Sequence, residues 1–479
     1  MTTMSDATST QDSTPMAAAD RVAERAVAEL ESTIATLTEY LKFPAISSDP
    51  AHHADVARLA ERIAADLESL GFVAHVRSLP GALPLVAAER RSRRPGARTL
   101  LVYGHLDLQP VRGENWSTPP HEAVRKMTSD GERLFARGAA DDMGGWVSHL
   151  AAIRAWLDVH GDLPLHVKLL IEGEEEIGSP RLESYMDAFP GDFEADVMVL
   201  TDCENPAVDV PGLTTSLRGL YEVELQVEAL TSDVHSGLWG NMAPDVSTAL
   251  MKLVSRLVDD LGRPVFVPCE TSEAFRAGLD AIPLTRDVIA EGAHLLPGIE
   301  PLPEGARKAA EWLWRQPALT VLSTTLPRPE AHKNALRASA TATLSLRIPP
   351  GKTRDDLRAA LEAIVLVDPP GGTRVTLVDR PGGAESWLYE PRGPAFAAAD
   401  RAYEKAWGKK LVQIGIGGSI PFVALFGRRY AHLPLILNGV MDPKTGAHGP
   451  DESLHLGVFR KAIVANVHLY AELAELPAD

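Results

Sequence analysis

Residues 100–110 read LLVYGHLDLQP. Four apolar residues end at Gly104, and His105 and Asp107 follow two residues apart. A short, unbroken apolar run is the pattern of a strand buried on both faces, as in a parallel sheet. The end of such a strand is where an open α/β sheet places ligands and chemistry. At extended spacing His105 and Asp107 point to the same side. A carboxylate beside a His fixes its tautomer and orientation, which suits the ring to metal binding.

The chain around this stretch predicts an α/β fold, a mostly parallel sheet flanked by helices. Apolar or alternating runs at 72–78, 85–89, 99–103, 165–172 and 195–201 read as strands. Helical periodicity at 20–41, 54–70, 146–159 and 181–189 alternates with them. A hairpin is expected around Ser129-Asp130-Gly131. The texture changes near Pro211. Alternating strands at 219–230, 336–349 and 374–378, with helices at 244–261 and 354–365, read as an inserted α+β domain over 212–385. Within it, 262–327 is rich in prolines and turns and reads as irregular. The main domain then occupies 19–211 and returns over 386–479, with helices at 390–407 and 455–473 and strands at 412–416 and 433–437. The small, polar residues 1–18 are expected to be disordered.

The net charge of −18 over 479 residues, with no basic patch, argues against nucleic acid or an anionic membrane surface as partner. Two cysteines, Cys203 and Cys269, make no disulfide framework and suit a reducing, cytoplasmic compartment. No signal peptide and no apolar run of membrane-spanning length is read.

Acids and His recur at strand ends: His105 with Asp107, Glu174 to Glu176, Asp202, and His448 in the loop after 433–437. Asp141 and Asp142 precede a helix, where the positive helix terminus suits a carboxylate. Two His with several carboxylates make a mixed nitrogen and oxygen ligand set. It suits zinc, with manganese or cobalt as alternatives. Two neighbouring metals need a bridging carboxylate, and such sites perform hydrolysis.

His105 in YGHLDLQP, Asp141 in RGAADDMGG, Glu175-Glu176 in EGEEEIGS, Asp202 in LTDCEN and His448 in GAHGPDE resemble the five ordered motifs of the M20 metallopeptidases. The resemblance covers nearly the whole chain and implies two divalent ions, zinc first. His105 and Asp202 would hold one, Glu176 and His448 the other, with Asp141 bridging. It makes Glu175 the general base for a metal-bridging hydroxide, and Asp107 the residue that orients His105. The insert resembles the family's lid and dimerisation domain. There the resemblance implies that His235 serves as an oxyanion group across a homodimer. It implies substrate contacts from Asn334, Arg347, Gly418 and Ser419, with Arg347 gripping a terminal carboxylate.

Asp at position 202 and the form of the first and third motifs point to the dipeptidase branch acting on small peptides. An N-acyl amino acid deacylase or carboxypeptidase is the alternative within the family, and a catalytically silent binding protein the alternative outside it. Two departures stand out: Met143 where the family often has Lys, and Ala335-Leu336 where it often has Ile-Pro.

Overall fold

The computed structural model describes residues 14–418 and 420–477. The chain divides into two compact units. One comprises Met1–Thr214, Glu390–Gln413 and Leu425–Asp479; the other Thr215–Tyr389 and Ile414–Ala424.

The first unit is built on a six-stranded sheet in the order Val73–Arg77, Leu85–Arg90, His166–Glu172, Thr99–His105, Val197–Leu200, Leu435–Leu437. The last four strands are mutually parallel, and Leu85–Arg90 pairs antiparallel with both of its neighbours. His166–Glu172 and Thr99–His105 are buried at six of seven positions, and Val197–Leu200 throughout. Continuous apolar runs form these strands because helices cover both sheet faces, leaving no solvated side to alternate with. The helix Leu456–Ala474 is itself buried along most of its length. Its polar side chains are matched inside the core: Asn466 Nδ2 donates to Ser148 Oγ at 2.8 Å, and Tyr470 meets His149 Nδ1 at 3.2 Å. The hairpin Val124–Thr128 and Gly131–Phe135 forms as its turn residues predict, and takes Ser453–His455 as a third strand.

The second unit is a four-stranded antiparallel sheet in the order Ala318–Thr324, Ser339–Ile348, Gly219–Glu228, Arg374–Asp379. Gly219–Glu228 and Ser339–Ile348 bury alternate residues, as their sequence alternation requires. The buried face packs on the helices Val246–Arg256 and Arg354–Val365, through residues such as Leu250, Leu253, Leu357 and Leu361. A capping box between Thr353 and Asp356 starts the second helix.

Four expectations are revised. The first helix, Pro15–Ala28, begins inside the segment 1–18 read as disordered, and Pro15 and Ala18 are buried; residues 1–13 lie outside the described residues. The single helix expected over 20–41 is two, broken at Glu29. The segment read as irregular holds the helices Glu273–Gly278, Arg286–Gly292 and Ala306–Arg315, and the edge strand Ala318–Thr324. That strand is exposed at most positions, so it lacks the alternation by which strands are read. The second unit begins at Thr215 rather than 212, ends at Tyr389 rather than 385, and takes in Ile414–Ala424. Among the described residues no helix is long and apolar enough to cross a membrane.

Candidate metal centre

His105 ends its strand fully buried. Its Nδ1–H donates to the backbone carbonyl of Asp107 at 3.1 Å, which leaves the Nε2 lone pair facing Asp141 Oδ1 at 3.2 Å. The other Asp141 oxygen, Oδ2, lies 3.1 Å from His448 Nε2, and that nitrogen is also 3.2 Å from Glu176 Oε2. His448 stands in a loop at a φ of 62° and is largely exposed. Two ligand groups result, His105 with Asp141 and Asp202, and Asp141 with Glu176 and His448. In each, the ligand atoms lie within 4.8 Å of one another, and Asp141 belongs to both.

Local sequence explains how these side chains converge. Asp142, joined to Asp141 by a cis peptide, accepts from the Thr201 hydroxyl at 2.7 Å and from His105 N at 3.3 Å. A Cβ on Gly104 would lie 2.6 Å from Asp142 Oδ2, and one on Gly145 2.1 Å from Oδ1. Both glycines therefore admit the Asp142 carboxylate between strand and helix. Trp146 Nε1 donates to the His105 carbonyl at 3.0 Å, tying the helix start to the strand end. Met143 sits in the core as the first residue of that helix.

Asp107 is fully buried. Its carboxylate oxygens accept from the backbone N–H of Glu175 at 3.1 Å and of Glu176 at 3.0 Å. They cap the short helical turn Glu175–Ile177, and the nearer one lies 3.6 Å from His105 Nδ1. Asp107 thus meets His105 through its carbonyl and the Glu pair through its carboxylate. Gln109 Nε2 donates to Glu176 Oε2 at 2.8 Å.

The electrostatics call for cations. Burial, then neighbouring carboxylates, push Asp202 and Glu175 well above the usual carboxylate range, and Glu176 upward. Asp141 goes the other way: burial opposes its charge, but the His105 and His448 imidazoles facing its two oxygens hold it low. His448 is pushed up to about 11 by Asp141 and Glu176. Among the described residues no Lys or Arg pairs with Asp141, Glu175, Glu176 or Asp202. Imidazole and carboxylate acceptors facing each other at 3.1–3.2 Å are a donor set for divalent metals. The residues present therefore fit a pair of ions sharing one carboxylate.

Glu452 was not singled out by sequence, although it closes the GAHGPDE motif. It is fully buried. Its carboxylate accepts from the N–H groups of Gly138, Ala140 and Asp141 at 3.0–3.1 Å and from Arg137 Nη1 at 3.0 Å. One side chain thus shapes the loop that carries Asp141. Nothing in the spacing separates it from a surface acid; only the fold brings residue 452 to the loop at 138.

The remaining expected residues lie in the second unit. His235 precedes the turn Ser236–Trp239, and its Nδ1 accepts from Gly237 N at 3.0 Å. It pairs in a short ladder with Ala335, and Ser236 N donates to the Asn334 carbonyl at 3.1 Å, so His235 and Asn334 are neighbours. Arg347 lies on the sheet face opposite the helices, half-buried. Gly418 is half-buried in the turn after Val412–Ile416, and Ser419 lies outside the described residues.

A mostly parallel α/β sheet with His and carboxylate side chains gathered at its strand ends is the build of a metal-dependent hydrolase. The chain belongs to peptidase family M20/M25/M40, whose model matches residues 101–475. It is similar to the cysteinylglycine-S-conjugate dipeptidase of Corynebacterium striatum, with 31% identity over 422 residues, 87% of this chain and 90% of that protein. The beta-Ala-His dipeptidase of Homo sapiens is 25% identical over 412 residues, 82% of this chain and 78% of that protein. Among solved structures, human carnosine dipeptidase 1 superposes with a TM-score of 0.72 at 22% identity, covering 96% of this chain and 99% of that one. The M20 family metallo-carboxypeptidase Sso-CP2 from Sulfolobus solfataricus gives 0.72 at 25% identity, covering 93% and 99%.

Proposed function

We propose that this protein is a dipeptidase that hydrolyses the amide bond of small peptides with two divalent ions, zinc first. The observation that carries the reading is the sharing of Asp141 by two His-and-carboxylate groups. Relatives named as dipeptidases support it. His105 and Asp202 hold one ion and Glu176 and His448 the other, with Asp141 common to both. When bound, such ions lower the pKa of water and polarise a carbonyl. Glu175 takes a proton from the attacking water and returns it to the leaving amine. Asp107 fixes the backbone from which Glu175 and Glu176 both project.

The second unit serves as lid and dimerisation domain. His235 acts as an oxyanion group across a homodimer, and Asn334, Arg347, Gly418 and Ser419 hold substrate. Support for the dimer comes from Leu238, Trp239 and Met242, apolar side chains exposed just beyond His235.

The test is hydrolysis of Cys-Gly and β-Ala-His beside N-acetyl amino acids, on chelated protein with and without Zn²⁺ or Mn²⁺. Metal-restored cleavage of the free dipeptides is expected. Cleavage of N-acyl compounds alone would move the chain to deacylation, and cleavage that survives chelation would remove the metals from the reading.

A further inference from the structure

Arg218 is a buried guanidinium with no acidic partner among the described residues. It stands just before the strand Gly219–Glu228 and is 8% exposed. Its Nε donates to the Gly417 carbonyl at 3.0 Å, its Nη1 to the Gln316 carbonyl at 3.4 Å, and its backbone N to Ile416 O at 3.2 Å. Those bonds spend two of the five N–H groups a guanidinium offers.

Arg347 lies beside it. In the ladder Leu220 is paired with Arg347, and Ala318 faces Arg347 from the other side. Leu220 and Arg347 share the face away from the helices, and Arg218 stands two residues before Leu220, where the chain passes from the strand Gly212–Leu217 into Gly219–Glu228. Burial, then the positive charge of Arg347, bring the Arg218 guanidinium down to about 10. Two like charges side by side, one of them buried and unpaired, are costly unless an anion joins them. Arg218 is anchored by backbone carbonyls, which hold its fork in place without neutralising it. The Gly417-Gly418 turn adjoins the same guanidinium: a Cβ on Gly417 would lie 3.1 Å from Arg218 Nη2, so a side chain there would crowd the fork.

We propose that Arg218 is a second guanidinium, beside Arg347, in the receptor for the terminal carboxylate of the substrate. The inference rests on the dipeptidase reading above and adds a residue that sets specificity for a free C-terminus. A planar fork meets a carboxylate with two parallel hydrogen bonds, and a second guanidinium makes recognition depend on the ligand's charge.

The experiment is steady-state kinetics of the metal-loaded wild type, R218M and R218K on one dipeptide and on its C-terminal amide, with thermal melts of each. If the wild type cleaves no dipeptide, the functional reading has failed and not the role of Arg218. Given activity, R218M should raise KM for the free acid roughly 10–100-fold, the worth of a charge-assisted hydrogen bond. Its kcat, and its KM for the amide, should stay near the wild-type values, with R218K intermediate. Parallel losses on acid and amide with a lowered melting temperature would make Arg218 structural, and an unchanged KM would remove it from substrate recognition. Should R218M not fold, the acid-to-amide ratio of R218K decides alone.

Discussion

Each oxygen of Asp141 faces a different imidazole, His105 on one side and His448 on the other. No other residue of the cluster belongs to both ligand groups. Glu175 differs from its neighbours in having no side-chain partner among the described residues, which leaves it free to exchange a proton. Burial raises its pKa first, and nearby carboxylates add to this. E175Q keeps the volume and removes the proposed base. It should retain the metal content and melting temperature of the wild type while losing about 10²- to 10⁴-fold in kcat. Metal analysis beside kinetics checks this, and a variant that loses metal with activity would make Glu175 a ligand.

At the scale of elements, the site is a set of loops held by buried carboxylates that bond to backbone N–H groups. Asp107 caps the Glu175–Ile177 turn, and Glu452 gathers the loop 137–141. Arg137 is shared between Glu452 and Glu114 and lies over the Trp116 ring, 5.1 Å from its centre. E452Q leaves that guanidinium without its buried partner and offers an NH₂ where N–H groups of the loop need an acceptor. A loss of about 3 kcal/mol is expected in chemical denaturation, as for a broken buried pair. Metal affinity should fall about 10- to 100-fold, the usual cost of losing support behind a ligand. Unchanged affinity in a destabilised variant would limit Glu452 to folding.

At the scale of the molecule, the proposed dimer would cover apolar side chains exposed near His235 and along the edge strand Ala318–Thr324, where Val321 and Leu322 are exposed. Sedimentation should give a mass near twice that of one chain. L238E with W239E should yield monomers, and if His235 acts across the dimer those monomers should lose turnover while keeping their metals. Active monomers would dismiss a trans role for His235.

How much of this was legible in sequence follows from range. The strand Thr99–His105, the alternation of Gly219–Glu228 and Ser339–Ile348, and the hairpin turn are local patterns of apolar spacing, readable because burial imposes periods of its own. The five motifs were legible because strand ends in an α/β sheet are where ligands collect. Arg286–Gly292 and the edge strand at 318–324 were not, since their residues are mostly exposed and carry little periodicity; Ala306–Arg315 is amphipathic, burying Ala309, Ala310 and Trp314, and was missed among the surrounding prolines and turns. The sequence by itself determined an α/β chain with an α+β insert and a ring of metal-type ligands. Only the tertiary structure decided that Asp141 is shared, that the Asp107 carboxylate turns to the Glu175 and Glu176 amides, that Glu452 holds a loop over three hundred residues away, and that Arg218 stands beside Arg347. Each of those is a contact between distant segments, set by packing and hydrogen-bond satisfaction in the folded core rather than by any local preference of the chain.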